Sequence, residues 1–360
     1  MAMPPLTIGD LSVPVPIIQG GMGVGISLSG LAAAVANAGG IGIIATADIG
    51  WDEPDFKKNF REANKRALRR HIRKARSLTK GVLGVNIMVA LTNYDDMVEV
   101  SVEEGIDLII SGAGLPLNLP KLMEGKASPK LLPIVSSGRA TQIICKKWQQ
   151  RGRLPDAIVV EGPLAGGHLG FKPEQVNEPG HTLEQLIPEV IAAVQPFAEA
   201  AGAPIPVIAA GGIYTGADIY RFLRMGAAGV QMGTRFVATH ECDAAPEFKQ
   251  AYLDARESDM ALIKSPVGLP GRAIRNPFLN EVDQGDRKPK TCLYRCVHGC
   301  DFRNAPFCIS EALISATRGD IARGLVFAGH NAYRLDKIVS VQELIQELAR
   351  EYDEACGSSC

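Results

Sequence analysis

The amino-acid sequence predicts an α/β protein: a (β/α)8 TIM barrel followed by a smaller, mostly helical C-terminal segment. Three observations predict this fold. Short apolar runs recur along the chain, helix-like stretches separate them, and each run starts about two dozen residues after the previous one. Eight strand–helix units in series are the pattern of a TIM barrel.

Eight apolar runs carry the predicted strands. They lack the two-residue alternation of a strand that is exposed on one face, which indicates parallel strands buried on both faces. Each run ends near Gly, Ser or Thr, as strands do where they enter a turn. In chain order the runs are VPIIQGG, GIGIIAT, VLGVNIMV, DLIISGAG, LLPIVSS, AIVVEG, PVIAAGG and GVQMGTRF.

The stretches between the runs have helical character. Residues 28–39 and 216–226 are examples, and Gly39 and Gly226 stand where helix C-caps are expected. Beyond Phe236 the repeating pattern stops. We therefore expect a barrel over residues 1–240 and a smaller helical region over residues 241–360, which can pack back on the barrel.

Two connections are longer than the rest, residues 51–80 and residues 172–188. Both leave the C-terminal ends of predicted strands, which is the face of a TIM barrel where active sites lie. These insertions are therefore expected to shape the active-site opening.

Composition narrows the class of protein. Of 360 residues, 46% are hydrophobic and 21% charged, which is typical of a globular protein. The net charge of -1 argues against nucleic-acid binding. The sequence lacks a signal-peptide pattern and an apolar run long enough to cross a membrane, so we expect no membrane association and a cytoplasmic location. In that compartment eight cysteines are expected to be thiols or metal ligands.

Glycines concentrate where the predicted strands end. Pairs such as Gly20–Gly21 and Gly211–Gly212 are explained individually by tight turns, because glycine permits positive φ. Turns alone do not explain why most of these glycines fall on one barrel face. A planar ligand that lies across the strand ends needs close backbone approach, and a phosphate needs backbone amides near strands seven and eight.

Five motifs in order, PIIQGGMG, GVNIM, EGPLAGGHLG, PVIAAGGI and GVQMGTRF, together resemble the nitronate monooxygenase family, formerly called 2-nitropropane dioxygenases. The same superfamily includes FMN-dependent enoyl-acyl-carrier-protein reductases and certain NADH:quinone reductases. The resemblance covers about residues 14–239. It implies an FMN-binding TIM barrel with a smaller, mostly helical second domain.

The resemblance also implies cofactor contacts at matching positions. They fall under the flavin ring, beside the isoalloxazine, and around the phosphate. In that order the matching residues are Gln19, Gly20, Gly21 and Met22; Gly166 and Gly167; and Ala210, Gly211 and Gly212 with Gly233 and Thr234. Asn86 matches a further polar contact with the flavin.

His168 matches the active-site histidine of the family, which is proposed to contact the substrate or act as a base. It stands just past the sixth predicted strand, after two glycines. An imidazole with an ordinary pKa of about 6.5 exchanges protons near neutral pH. Glu161, at the end of the same strand, is a further site candidate that could bind a ribityl hydroxyl, cap a turn or pair with a lysine.

Four cysteines of the tail stand outside the family pattern. Their spacing is C-x3-C-x3-C-x7-C, and three of them would share one face of a helix. The residues are candidates for an iron-sulfur cluster, with zinc or plain structural thiols as alternatives. They are Cys292, Cys296, Cys300 and Cys308.

Residues 57–80 carry eleven Lys or Arg and one acidic residue, Glu62. The segment is either a solvated helical face or a docking patch for an acidic partner, such as an acyl carrier protein or the phosphates of NAD(P)H.

Three functions follow from the sequence. The first is an FMN-dependent oxidoreductase that oxidises alkyl nitronates with oxygen. The second is an NAD(P)H-dependent enoyl-thioester or quinone reductase on the same scaffold. The third is a non-enzymatic flavin or metal sensor. The substrate is expected to be a small molecule, and a homo-oligomer is compatible with the sequence.

Overall fold

The structure is a computed structural model that describes residues 3–125 and 129–358, and a sheet of eight parallel strands organises it. A short hairpin of β1 (Leu6–Ile8) and β2 (Leu11–Val13) precedes this sheet. All eight apolar runs form strands of the sheet, as the sequence predicts. These are β3 (Ile17–Gln19), β4 (Gly42–Ala45), β5 (Leu83–Met88), β6 (Leu108–Gly112), β7 (Lys130–Val135), β8 (Ile158–Glu161), β10 (Val207–Ala210) and β11 (Gly229–Met232).

Three further strands and a set of α-helices complete the described elements. The strands are β9 (Gly167–His168), β12 (Met260–Lys264) and β13 (Pro270–Ile274). The helices are α1 (Ser29–Asn37), α2 (Phe60–Leu78), α3 (Tyr94–Glu103), α4 (Gly138–Gln149), α5 (Leu183–Ala201), α6 (Gly216–Arg224), α7 (Thr234–Val237), α8 (Pro246–Leu253), α9 (Pro277–Gln284), α10 (Ile309–Thr317) and α11 (Val341–Gly357).

The helices follow the strands in alternation, and their ends obey the sequence pattern. Gly39 and Gly226, the expected cap positions after α1 and α6, have φ of +90° and +100°. A residue with a Cβ adopts this conformation only with strain, so glycine ends each helix at low cost.

Side chains inside the barrel form a separate apolar cluster that also contains Leu6, Ile8 and Val13 of the β1–β2 hairpin. An ion pair holds this hairpin at the N-terminal ends of the strands, because Asp10 lies 2.6 Å from the ammonium of Lys130 at the start of β7. The hairpin thus fills one end of the barrel, and the opposite end stays available for ligands.

Closure of the barrel occurs between its first two strands, β3 and β4. The sheet order runs from β3 through β11 to β4, and a parallel bridge between Ile18 and Ile41 joins the two ends. The side chain of Gln19 extends this junction. Its Oε1 accepts the N–H of Ile43 at 3.0 Å, and its Nε2 donates to the carbonyl of Gly20. Gln19 is fully buried, so these bonds form away from water.

The C-terminal region does not separate cleanly from the barrel. Helix α11 packs against α6 and α1, which is the position of the eighth helix in the barrel's outer ring. Its apolar residues, such as Leu344 and Leu348, belong to the same core as the outward side chains of the strands. A division at residue 240 would therefore cut this helix from the ring in which it packs.

Between β11 and α11 the chain forms an insertion that is not wholly helical. It contains α8, α9, α10 and the antiparallel hairpin of β12 and β13, and β13 also pairs with β9. This three-stranded sheet attaches the insertion to the loop that carries His168. Among the described residues, no helix is long and apolar enough to cross a membrane.

We predict that Gln19→Leu destabilises the barrel. Leucine leaves the buried N–H of Ile43 and the carbonyl of Gly20 without their partner, and an unsatisfied buried polar group costs about 1–3 kcal/mol. Chemical unfolding of the purified protein measures this loss. Gln149→Leu, at an exposed position near the end of α4, is the matched control. Equal stability of both variants would contradict a closing role for Gln19.

Candidate active site

A deep cavity opens at the C-terminal ends of the barrel strands, where TIM barrels carry their active sites. Residues at or just beyond the ends of seven of the strands reach it, from Gly20 after β3 to Gly233 after β11. The insertion after β11 covers it from the other side.

The cavity brings together most of the residues that the sequence singles out. Gln19 does not line it, since its side chain is engaged in barrel closure. The catalytic candidate and all the other predicted cofactor contacts do line it. These are His168 together with Gly20, Gly21, Met22, Asn86, Glu161, Gly166, Gly167, Ala210, Gly211, Gly212, Gly233 and Thr234.

Three backbone segments converge on one end of the cavity. Gly211 and Gly212 follow β10 with φ of +89° and +90°, and Thr234 begins the short helix after β11. Gly329, from the insertion, lies against Thr234, because a Cβ built at Gly329 would stand 2.5 Å from its hydroxyl. Asn331 ties the segments together by donating to the carbonyl of Gly212 at 2.8 Å.

This end of the cavity fits the phosphate of FMN. Successive glycines at positive φ expose backbone N–H groups, and the hydroxyl of Thr234 adds a donor. The Oε1 of Gln231 is also buried in the cavity lining and has no hydrogen-bond partner among the described residues. This acceptor does not suit a phosphate oxygen, but it is satisfied when the ring system of a ligand donates to it. Asn86 lines the same cavity.

The insertion packs closely against the loop that carries His168. A Cβ at Gly166 would stand 2.5 Å from the backbone of Ala328 and Gly329. Glycine at position 166 therefore permits contact between two backbones, a reason that the sequence did not reveal. His168 itself pairs with Gly271 in the β9–β13 ladder.

His168 is held on two sides. Its Nε2 lies 2.7 Å from the hydroxyl of Ser265, and the ring meets that of Phe327 edge-on with centroids 5.0 Å apart. The Ser265 hydroxyl also accepts the N–H of Val267 at 3.3 Å. Burial lowers the pKa of His168 to about 4. At neutral pH the imidazole is therefore uncharged, and it can accept a proton or a hydrogen bond.

Glu161 lines the same cavity, and its pKa is shifted in the opposite direction. Burial raises the pKa of its carboxyl to about 7, although the N–H of Gly170 bonds to it and acts in the other direction. Near neutral pH this group exists in both protonation states. A neutral base and a weak acid thus face one cavity, which is the pairing that acid–base chemistry requires.

The part of the cavity lining that comes from the insertion is mostly apolar. No lysine or arginine lines the cavity anywhere in the described chain, so hydrogen-bond donors and apolar surface dominate its walls. Sequence reasoning did not identify these covering residues, because they lie far from the strand motifs. They are Phe248, Tyr252, Leu313, Thr317, Leu325, Phe327 and Ala328.

The predicted metal cluster is not supported. Within residues 3–125 and 129–358, no group of three or more His, Cys, Asp or Glu side chains is arranged to hold a metal ion. The cysteine segment is irregular instead of helical, with φ of +47° at Arg295 and +73° at Gly299. Residues four apart therefore do not share a face. One thiol of the four is exposed, one is buried in an apolar cluster, and two are half-buried, in the order Cys292, Cys296, Cys300 and Cys308.

The cysteine segment has a structural role beside the cavity. Val297 bridges to Leu91 in the loop after β5, and the carbonyl of Cys296 accepts the N–H of Thr92 at 3.0 Å. Cys296 packs with Phe56 and Tyr294 in one apolar cluster. These contacts attach the insertion to the barrel loops.

The basic segment forms helix α2, and its arginines are matched by acidic side chains. The partners come from α3, from the turn after it and from the loop after β4. Arg66 pairs with Asp55, and Arg70 pairs with Glu53. Further pairs are Arg61–Asp96 at 2.6 Å, Arg69–Glu103 at 2.6 Å, Arg73–Glu104 at 2.7 Å, Arg70–Asp52 at 2.8 Å and Arg76–Asp107 at 2.8 Å. Most of the positive charge of α2 is balanced within the molecule.

Asp48, three residues beyond β4, is buried with φ of +49°. Its Oδ1 has no hydrogen-bond partner among the described residues. Burial raises the pKa of its carboxyl from 3.8 to about 6. The folded state therefore disfavours the charged carboxylate, which is a stability cost next to the cavity wall formed by Ala47.

Comparison with known proteins gives a consistent result. The family model described as nitronate monooxygenase matches residues 6–351. A probable nitronate monooxygenase from Staphylococcus aureus is 29% identical over 311 residues, which cover 76% of this chain and 79% of that protein. The solved structure of FabK from Thermotoga maritima superposes with a TM-score of 0.74 at 28% identity, and the match covers 96% of this chain and 95% of that one.

A third relative carries a different name. The Mycobacterium tuberculosis protein named (3aS,4S,5R,7aS)-5-hydroxy-7a-methyl-1-oxo-octahydro-1H-indene-4-carboxyl-CoA dehydrogenase is 31% identical over 272 residues. The match covers 76% of this chain but 66% of that relative, so this chain spans just under two thirds of its length.

We predict that Asp48→Asn stabilises the protein above pH 6. A carboxyl whose pKa is raised by folding costs stability as pH rises from about 4 to about 6, and the cost is complete above that range. The shift corresponds to roughly 3 kcal/mol, which the neutral amide would largely remove at pH 8. Unfolding midpoints at pH 4 and pH 8 measure the effect, with exposed Asp286→Asn as control. An equal gain at both pH values would contradict a titrating Asp48.

Proposed function

The chain belongs to the nitronate monooxygenase family, and on that premise we propose that it is an FMN-dependent oxidoreductase that oxidises alkyl nitronates with oxygen. The products would be a carbonyl compound and nitrite. The observation that carries the proposal is the convergence, in one cavity, of a glycine-lined phosphate cradle with the neutral imidazole of His168.

FMN, when bound, would accept electrons from the substrate and pass them to oxygen. The residues of the chain would bind and orient the reactants. Gly211, Gly212, Gly233 and Thr234 would hold the phosphate, while Asn86 and Gln231 would offer polar contacts to the ring system. The apolar cover of Phe248, Leu313 and Leu325 would exclude water and accommodate the alkyl part of the substrate.

His168 would act at the reacting carbon. Its Nε2 would donate to the hydroxyl of Ser265, which would leave the lone pair of Nδ1 free to accept a proton. Because burial keeps His168 uncharged, it would accept a proton from a neutral nitroalkane or hydrogen-bond to a nitronate. Glu161, with a pKa of about 7, would be a second proton carrier in the same cavity.

An NAD(P)H-dependent reductase of enoyl thioesters or quinones is the second candidate. The mostly apolar lining from the insertion favours it, since an acyl chain would fit there. The 31% identical relative, named as a dehydrogenase of a carboxyl-CoA compound, also favours a thioester. The absence of lysine and arginine from the described lining counts against it, because the phosphates of NAD(P)H or coenzyme A would find no cation inside.

The remaining proposals concern the setting of the enzyme. We propose a cytoplasmic location and a small-molecule substrate. An acidic carrier protein would belong to the reductase alternative, but the paired arginines of α2 leave little free positive charge for its docking. We also propose a homo-oligomer, and light scattering would measure its mass in solution.

We predict that the purified protein carries FMN and produces nitrite from an alkyl nitronate. The absorption spectrum identifies the flavin, and anaerobic addition of nitronate should bleach it, whereas NADH or NADPH should leave it oxidised over the same period. Oxygen uptake and nitrite release then follow in equal amounts. Rapid bleaching by NADH without bleaching by nitronate would favour the reductase instead.

We predict that His168→Ala retains FMN but loses most turnover. Loss of a general base typically lowers a rate by about 10²–10⁴-fold, and the phosphate cradle does not depend on this side chain. Flavin content per protein and the rate of nitrite release measure the two effects separately. His240→Ala, which alters an exposed histidine, is the control. An unchanged rate in His168→Ala would refute the catalytic role.

A further inference from the structure

Arg272 is a buried arginine in the wall behind the cavity. It lies on β13, pairs in register with Gly167 of β9, and is 4% exposed. Its Nη2 donates to the carbonyl of Pro163 at 2.7 Å, and its Nε donates to the carbonyl of Ala165 at 3.2 Å. These two hydrogen bonds attach the guanidinium to the loop that leads to His168.

Among the described residues, no acidic side chain forms an ion pair with this guanidinium. Burial alone lowers its pKa below the ordinary range, and no acidic side chain in the described chain acts on it. Arg235, the other arginine that is buried among the described residues, shows the usual arrangement, with Glu347 at 2.8 Å. The charge of Arg272 also acts on His330. Burial and this charge both lower the pKa of the His330 imidazole.

The charge of Arg272 acts on the cavity through two peptide units that lie between them. In a planar trans peptide the C=O and N–H bonds point in opposite directions. The carbonyls of Pro163 and Ala165 share peptide units with the N–H groups of Leu164 and Gly166, which therefore point away from the guanidinium. Both Leu164 and Gly166 line the cavity. A cation on the carbonyl side polarises such a unit and makes its N–H a stronger donor.

A buried cation without a counter-ion is costly unless a negative charge is present nearby. The cavity lining supplies no cation of its own within the described residues. Arg272 is therefore a source of fixed positive charge directly behind the loop beside which the flavin ring is expected.

We propose that Arg272 is a positioning residue that acts through the loop of residues 163–166 to stabilise negative charge on bound FMN, and that it thereby raises the reduction potential of the cofactor. Reduction adds negative charge to the flavin, so a fixed cation favours the reduced form. The same two hydrogen bonds hold the loop that presents His168. This inference rests on the proposed function, since it requires FMN in the cavity.

The test is the reduction potential of bound FMN in matched variants. Arg272→Met removes the charge and the donors, Arg272→Gln keeps a donor without the charge, and Arg272→Lys keeps the charge. Arg275→Met, three residues along the chain, removes an exposed arginine that is paired with Asp283 and is the control. The dissociation constant of FMN is measured beside the potential.

We expect the Met and Gln variants to lower the equilibrium constant for flavin reduction about tenfold, which is about 30 mV for a two-electron couple. The Lys variant and the Arg275→Met control should stay within about twofold of the original protein. If Arg272→Met does not fold, the Gln and Lys variants carry the comparison.

Two results would overturn the inference while leaving the proposed function intact. The first is bound FMN with an unchanged potential in both Arg272→Met and Arg272→Gln. The second is an equal decrease in Arg272→Lys and Arg272→Gln, which would assign the effect to loop geometry instead of charge. A protein that binds no FMN at all would overturn the proposed function, and the inference with it.

Discussion

The junction between β3 and β4 is the constraint on which the rest of the structure depends. Parallel strands must pair on both edges, and a ring of eight leaves no edge only if the last pair meets. Here the backbone bridge at Ile18 and Ile41 is short, and the amide of Gln19 lengthens it with a side chain. Once the ring is closed, loops from distant parts of the sequence converge on one small cavity.

The barrel could be predicted because its strands are buried on both faces, which the sequence records as continuous apolar runs. The cofactor loops could be predicted because glycines follow those runs directly. Long-range pairing could not. The contact of His168 with β13, and the cover of Phe327 and Gly329, join residues that are more than one hundred positions apart. No local pattern encodes such a contact.

Two sequence patterns were compatible with more than one arrangement. The cysteine spacing suggested one helical face, but positive φ at Arg295 and Gly299 breaks any such repeat. The role expected for Gln19 was contact with the flavin, yet a buried amide that joins two strands looks the same in sequence as one that binds a ligand. Arg272 was overlooked because a lone arginine in an apolar strand gives no sign of its missing partner.

The return of α11 to the ring has a consequence for how this molecule can change over time. The insertion leaves after β11 and rejoins before α11, so both of its ends are fixed to neighbouring parts of a complete barrel. Its cover residues can then be exchanged, lengthened or shortened as a module without opening the ring. In such an architecture the residues that cover the cavity can change while the strands that close the ring stay the same.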